Sequence, residues 1–329
     1  MSGVKWSINS KKLAAAFLTA AVFISGCGDN SVPLSYGSLD NNPDFALEDL
    51  SEQTTIPLFA NELCAAASDV TEKSGISTST LNSACVYDLS GKKVLYSYNA
   101  NEHLSPASLT KLMTVLLTFE NCPDLDQKIS VGSVTIKENG AQLFGLKEGD
   151  RISIRDLLYI TLLPSANDAA LALAIYIAGS EEAFADMMNE RALKMGATNT
   201  HFLNPHGLTQ EGHYTCAYDL YLMFNELLKY PEFLDIIQTQ SMTIEYTSAD
   251  GSLNTKDAKT TNQYLKGGID TPRTVSVVGG KTGSTSAAGK CMILYVTSPS
   301  SKPYIVVVMG AEDVDTLYKT INRLCDDVI

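Results

Sequence analysis

Apolar residues near both ends of the chain follow strand-like patterns. Residues 83–98 predict a hairpin, because two apolar runs flank a turn that ends at Gly91. Three more strands are predicted near the carboxyl end, over 275–281, 291–296 and 304–309, with a Ser-Pro-Ser-Ser turn between the last two. Strands from distant parts of the chain must therefore meet in one antiparallel sheet.

Between these strands the apolar pattern is helical. Residues 154–163 are densely apolar, 181–195 end before a glycine suited to a helix C-cap, and 217–228 stop shortly before a proline. The order of elements predicts an α+β fold, an antiparallel sheet flanked by helices. A mainly helical lobe, approximately 121–245, is expected between its strands.

The amino terminus has the pattern of a signal peptide. Lysines precede an apolar run over 13–25 that is too short to span a bilayer as a helix. Residues 1–26 are therefore expected to be removed. The next stretch, 27–58, is rich in Asp, Asn, Ser and Pro and predicts a flexible tether. Residues 59–329 remain for a folded domain.

The net charge and the cysteine spacing bear on whether the chain binds nucleic acid, a metal or another cofactor. The formal net charge is −13, and loss of residues 1–26 removes three lysines and no acids, which leaves −16. Binding to nucleic acid is not expected of such an acidic chain. Six cysteines remain after Cys27, and export would permit disulfides without requiring them. The chain has no Cys-x-x-Cys or His-x-x-x-His spacing, so we expect neither a metal site nor another cofactor.

Three short motifs in a fixed order suggest a serine nucleophile. They are Ser108-Leu109-Thr110-Lys111, Ser165-Ala166-Asn167 and Lys281-Thr282-Gly283. Ser108 follows Pro106 and opens an apolar helical run, so Ser108 and Lys111 should lie one turn apart on the same helix face. A second S-x-x-K begins at Ser90, but that serine lies in the turn of the predicted hairpin.

A neutral serine hydroxyl is a poor nucleophile and needs a base within hydrogen-bond reach. Lys111 can serve if its pKa falls from about 10.4 to near neutrality, which burial beside a like charge can achieve. His206 and His213 are the alternative bases of a Ser-His-Asp arrangement. We disfavour them because Lys111 already fills the role and His206 lies in a loop-like stretch, 204–208.

The motifs and their surroundings resemble the penicillin-binding D-alanyl-D-alanine carboxypeptidases, serine peptidase family S11, which have a β-lactamase/transpeptidase-like fold. The similarity covers the stretches 106–114, 162–170, 204–208, 281–285 and 288–291. Roughly residues 59–329 follow the family's layout. The resemblance implies removal of the terminal D-Ala from peptidoglycan stem peptides ending in D-Ala-D-Ala through an acyl-serine intermediate. It also implies that β-lactam antibiotics act as acylating inhibitors.

The resemblance gives each catalytic residue an expected role. Ser108 is the nucleophile and Lys111 its base, with Lys281 supplying the neighbouring positive charge. Ser165 relays the proton towards the leaving amine. Asn167 holds Lys111 and the amide of the substrate.

Substrate binding is expected from the strand that carries the third motif. Lys281, Thr282 and Ser284 would bind the terminal carboxylate, while Gly283 lets a substrate strand approach. Backbone N–H groups of Ser108 and Ser284 would form the oxyanion hole. Some family members carry a carboxylate-binding arginine soon after the last strand. Here residues 310–316 contain three acids and no arginine, so recognition is expected to depend on the third-motif strand alone.

The resemblance also bears on location. Other members attach to the membrane through a β-rich second domain and a basic amphipathic helix, which we do not find before Ile329. Ile24-Ser25-Gly26-Cys27 resembles the lipobox of bacterial lipoproteins. We therefore expect a lipid on Cys27 to anchor the enzyme to the outer side of the bacterial cell membrane.

Two alternative functions are weighed against the carboxypeptidase. A class A β-lactamase shares the fold but needs a Glu-x-x-x-Asn element after the second motif, and residues 199–207 contain no glutamate. An inactive cell-wall-binding or penicillin-sensing lipoprotein would not need the pairing of Ser108 with Lys111. These observations disfavour both functions, which are kept as the alternatives to the carboxypeptidase.

Overall fold

The computed structural model describes residues 62–66, 68–71 and 75–329. All of them lie within a unit that spans Leu58–Ile329. The predicted signal peptide, the Cys27 expected to carry a lipid and the predicted tether over 27–58 lie outside the described residues. Within the described part of the chain, no helix combines the length and the apolar character that crossing a membrane requires.

A five-stranded antiparallel sheet joins the two ends of the domain. The amino-terminal hairpin is formed by β1 (Ser83–Asp88) and β2 (Lys93–Tyr98), and the carboxyl-terminal strands are β7 (Ser276–Thr285), β8 (Gly289–Thr297) and β9 (Pro303–Ala311). The strand order is β2-β1-β9-β8-β7. Strand β1 pairs with β9 across more than two hundred residues of sequence, as the predicted sheet requires. Strand β7 lies at the sheet edge and is open along one side.

Alternation along β9 explains why this sheet has helices on both faces. Ile305 and Val307 enter one apolar cluster together with residues of the central helices. Val306 and Val308 enter a second cluster on the other face, where the last helix packs. Successive side chains of a strand point to opposite faces, so a continuous apolar run is what a sheet covered on both sides needs.

The described chain contains more helices than the apolar pattern predicted. They are α1 (Lys111–Asn121), α2 (Ile154–Leu162), α3 (Asn167–Ala178), α4 (Glu181–Lys194), α5 (Ala217–Leu227), α6 (Pro231–Gln238), α7 (Gln263–Lys266) and α8 (Val314–Val328). The predicted helices over 154–163, 181–195 and 217–228 agree with α2, α4 and α5 to within one residue at each end. The α+β fold class is confirmed.

A second sheet was not anticipated. It has four strands in the order β3-β4-β5-β6, with β3 (Lys128–Ser130), β4 (Arg151–Ser153), β5 (Ser241–Thr247) and β6 (Leu253–Lys259). β3, β4 and the start of β5 thus lie within the stretch 121–245 that was expected to be mainly helical. β3 and β4 are three residues long and β6 is mostly exposed, so these three strands lack the apolar periodicity from which strands are predicted. β5 does alternate polar and apolar residues, and that signal was overlooked.

Candidate active site

The first motif lies where a short 3-10 turn, Ala107–Thr110, leads into α1. Lys111 is the first residue of α1, and its Nζ lies 3.0 Å from Ser108 Oγ. The one-turn spacing expected from the sequence is thus observed, although the turn is tighter than the α-helix predicted there. Ala107 has a φ of +47°, a left-handed value that costs free energy for a residue with a Cβ.

The amine of Lys111 is fully buried and surrounded by neutral acceptors. Its Nζ donates to Asn167 Oδ1 at 2.7 Å and to the carbonyl oxygen of His206 at 2.6 Å. Burial is the main reason that the pKa of Lys111 lies well below its ordinary value, and the positive charge of Lys281 lowers it further. This residue therefore has the environment that a basic amine at neutral pH requires.

The second and third motifs meet through another buried lysine. Lys281 Nζ donates to Ser165 Oγ at 2.8 Å and to the carbonyl oxygen of Thr282 at 2.8 Å. Burial lowers the pKa of Lys281 to about 7. Ser165 has a φ of +64°, and α3 begins after Ala166 without a side-chain cap. Ser165 is therefore not a helix cap, which would be the ordinary use of a serine at this place.

Asp168, next to Asn167, positions a loop at the edge of the site, and no pattern in the sequence singles it out. The buried carboxylate of Asp168 accepts backbone N–H bonds from Phe144, Gly145 and Leu146 at 2.7 to 3.0 Å. The backbone N–H of Asn167 donates to the carbonyl oxygen of Gln142 at 2.8 Å. These bonds fix the loop before β4 against the first turn of α3. An acidic residue in a first helical turn gives no signal of such a distant partner.

Two glycines lie close to the turn that carries Ser108, and at Gly207 there is no room for a Cβ. A Cβ at Gly207 would lie 1.8 Å from the carbonyl oxygen of Ala107, and the φ of Gly207 is +87°. A Cβ at Gly283 would lie 3.2 Å from the backbone nitrogen of Ser108. The His206 loop and strand β7 thus press against the turn that carries the nucleophile from two sides.

The two histidines considered as bases do not bond to Ser108. His206 Nε2 lies 3.1 Å from Glu181 Oε1, and only the backbone carbonyl of His206 reaches Lys111. His213 Nδ1 accepts from a backbone N–H, and its Nε2 lies 2.9 Å from Thr110 Oγ1. Burial lowers the pKa of His213 to about 3, so this ring is neutral. A Ser-His-Asp arrangement is therefore absent at this serine.

An open cleft of about 510 Å³ runs past Ser108 along the free edge of β7. Thr282, Gly283 and Ser284 line it, as do Ser165 and Asn167. Thr282 Oγ1 lies 2.5 Å from the hydroxyl of Thr261.

The cleft also contains a lysine to which the sequence analysis gave no role. Lys290 Nζ donates to Ser284 Oγ at 2.8 Å, and both residues line the cleft. Only the pairing of β7 with β8 brings Lys290 next to the third motif.

The arrangement is suited to acyl transfer to a serine. One hydroxyl faces the cleft beside a buried amine of lowered pKa, and a second hydroxyl is bonded to a second such amine. An edge strand with hydroxyl side chains lies alongside. These are the parts that an activated serine nucleophile and an extended peptide substrate need.

Comparison with protein families gives a match over most of the domain. The sequence model of peptidase S11, described as D-alanyl-D-alanine carboxypeptidase, matches residues 69–313. The D-alanyl-D-alanine carboxypeptidase DacF of Bacillus subtilis is 34% identical over 254 residues, which are 74% of this chain and 61% of the relative. The carboxypeptidase DacD of Escherichia coli is 34% identical over 68% of this chain and 57% of the relative. The chain thus spans less than two thirds of the length of these two relatives.

Two solved structures with a similar fold are a DD-transpeptidase and a penicillin-binding protein. The Streptomyces K15 DD-transpeptidase superposes with a TM-score of 0.69 at 26% identity, over 76% of this chain and 97% of that protein. Penicillin-binding protein D2 of Listeria monocytogenes, solved in its cefotaxime-bound form, gives a TM-score of 0.62 at 29% identity. That match covers 74% of this chain and 95% of the Listeria protein.

Proposed function

The chain belongs to the D-alanyl-D-alanine carboxypeptidase family, peptidase S11, and from this membership we propose that it removes the terminal D-Ala from peptidoglycan stem peptides. The bond cleaved is that between the last two residues of a D-Ala-D-Ala terminus. One observation carries the proposal: the hydrogen bonds of the buried Lys111 amine, which link Ser108 to Asn167.

The acylation step follows from counting the hydrogens on Lys111. A neutral amine has two N–H groups, and the oxygens of Asn167 and His206 accept both of them. Its lone pair is then left for the Ser108 hydroxyl proton. As that proton moves to Lys111, Oγ attacks the carbonyl carbon of the penultimate D-Ala. In this proposal backbone N–H groups of Ser108 and Ser284 stabilise the oxyanion.

The leaving amine must next receive a proton. Ser165 lines the cleft, and its hydroxyl is bonded to Lys281. Ser165 can therefore relay the proton that Lys111 took from Ser108 to the nitrogen of the departing D-Ala, which leaves Lys111 neutral again. D-Alanine then leaves and an ester to Ser108 remains. Water attacks that ester while Lys111 takes its proton, and the proton passes to Ser108 Oγ as the shortened peptide is released.

Penicillin labelling tests this function against its alternatives. Benzylpenicillin should acylate the full chain and give an adduct that persists after removal of free drug. A transient adduct with turnover of the drug would instead indicate a β-lactamase. A chain that forms no adduct at all would be the inactive binding protein, and either of these two outcomes would contradict the carboxypeptidase.

We further propose that the enzyme acts outside the cytoplasmic membrane and is held there by a lipid on Cys27. The lipobox-like residues 24–27 and the preceding apolar run support this proposal. Replacing Cys27 with alanine should give an unprocessed or unlipidated protein, visible by mass and by its distribution after cell fractionation. A mature, membrane-bound Cys27→Ala protein would refute the lipid anchor.

A further inference from the structure

A lysine on β8 faces the part of the cleft that the third motif forms. Lys290 is the direct cross-strand partner of Ser284, so their side chains lie on the same side of the sheet. Thr282, two residues before Ser284, shares that side. Lys290 Nζ donates to Ser284 Oγ at 2.8 Å. Any acceptor that bonds to Ser284 Oγ from the cleft therefore lies close to the Lys290 ammonium.

Within the described chain Lys290 forms no ion pair, although Glu138 also lines the cleft. Among the described residues, no carboxylate lies within ion-pair distance of its Nζ. Lys290 is also the only lysine, arginine or histidine among the described residues that line the cleft. Its hydrogen bond to a neutral hydroxyl leaves an ammonium charge, with further N–H donors, directed at the cleft.

The other lysine of this region is already engaged. Lys281 is 1% exposed, and its Nζ is bonded to Ser165 and to the carbonyl oxygen of Thr282. With its pKa lowered to about 7, Lys281 is charged only part of the time at neutral pH. An anionic group in the cleft therefore meets the amine of Lys290 rather than that of Lys281.

The acids after β9 do not compete for Lys290. Asp313 caps α8 by accepting the N–H of Thr316 at 2.7 Å, and Asp315 pairs with Lys319 at 2.6 Å. The segment that lacks an arginine is thus the start of a helix. Asp313 is used for capping and Asp315 for a pair along that helix.

We propose that Lys290 is a specificity-determining residue that binds the terminal carboxylate of the substrate together with Thr282 and Ser284. The proposal rests on the function proposed above, which supplies a substrate with a free carboxylate. In this proposal the carboxylate-binding cation is a lysine on β8, instead of the arginine that some family members carry soon after the last strand. The competing explanation is that Lys290 only holds the β7–β8 hairpin in place through its bond to Ser284.

The test compares ligands with and without the carboxylate. Acylation rate constants of the full chain would be measured with benzylpenicillin and with its methyl ester. The variants are Lys290→Gln, Lys290→Arg and, as a matched control, Lys302→Gln in the exposed turn before β9. Lys290→Gln should lower the preference for the acid over the ester about tenfold or more, the loss expected for a hydrogen bond to a charged group. The rate with the ester should stay within about twofold, and Lys290→Arg should retain most of the preference.

A structural role predicts a different result. If Lys290 only supports the hairpin, acid and ester would lose rate together in Lys290→Gln, which would overturn the proposal. An unchanged preference would overturn it as well. The penicillin comparison does not depend on peptide cleavage. A wild-type chain that cleaves no D-Ala-D-Ala peptide would refute the proposed function while leaving the test of Lys290 valid.

Discussion

Replacing Ser108 with alanine is expected to abolish both penicillin labelling and the release of D-alanine. Ser108 is the only serine or threonine in the described chain whose hydroxyl is bonded to the Lys111 amine. The nearby Ser165 hydroxyl is bonded to Lys281 instead. Without Ser108 Oγ no ester can form, so the covalent route is lost rather than slowed. Intact protein mass after exposure to benzylpenicillin and release of D-alanine from a peptide measure the two effects.

A matched serine gives the control for this variant. Ser90 opens the other S-x-x-K of the folded domain but lies exposed in the turn between β1 and β2. Ser90→Ala should acylate and hydrolyse like the wild type. A persistent adduct in Ser108→Ala, or its loss in Ser90→Ala, would show that the nucleophile has been assigned to the wrong motif.

Replacing Lys111 with glutamine should slow acylation by roughly 10²–10⁴-fold, the range expected for loss of a general base. Glutamine keeps a polar group among the acceptors of Asn167 and His206 but cannot take the proton of Ser108. Lys93→Gln is the control, because Lys93 is the exposed lysine of the other S-x-x-K. Stopped-flow acylation by a chromogenic β-lactam measures the rates. A Lys111→Gln rate close to that of the wild type would exclude Lys111 as the base.

The pH dependence gives an independent reading of the same residue. Only the neutral amine is a base, so wild-type acylation should rise as the pH passes upward through the lowered pKa of Lys111. The rate should then level off well below the ordinary lysine value of about 10.4. Lys111→Gln should lose this rise. If the variant kept the same pH profile at a lower rate, another group would be the one that titrates.

The sequence predicted those parts of the fold whose burial leaves an apolar pattern. Strands β8 and β9 are buried on both faces, and α2 and α5 carry dense apolar runs, so each was placed within a few residues. In the second sheet, β6 presents mainly polar side chains to solvent, whereas β5 alternates Met242, Ile244 and Tyr246 with polar residues. The alternation in β5 is a strand signal that went unused, while β6, with one buried residue, leaves little trace in the hydrophobic pattern.

The site shows the same division between local and distant information. The spacing of Ser108 and Lys111 is local, so the sequence predicted their contact. The contact between Lys111 and His206 was not predictable in this way. It joins residues nearly one hundred positions apart, and the acceptor is a backbone carbonyl, which the residue type does not reveal. Lys290 became visible only through the register of β7 against β8. The left-handed backbone of Ser165 likewise has no signal in the residue type.

The most direct test of the central claim is the mass of the products that the full chain forms from an acylated peptide ending in D-Ala-D-Ala. We expect free D-alanine and a peptide shortened by one residue, with no product from Ser108→Ala. Glycine would be added in a parallel reaction as an amine acceptor. Release of D-alanine only with transfer of the peptide to glycine would identify a transpeptidase, and an intact peptide in both reactions would contradict the account altogether.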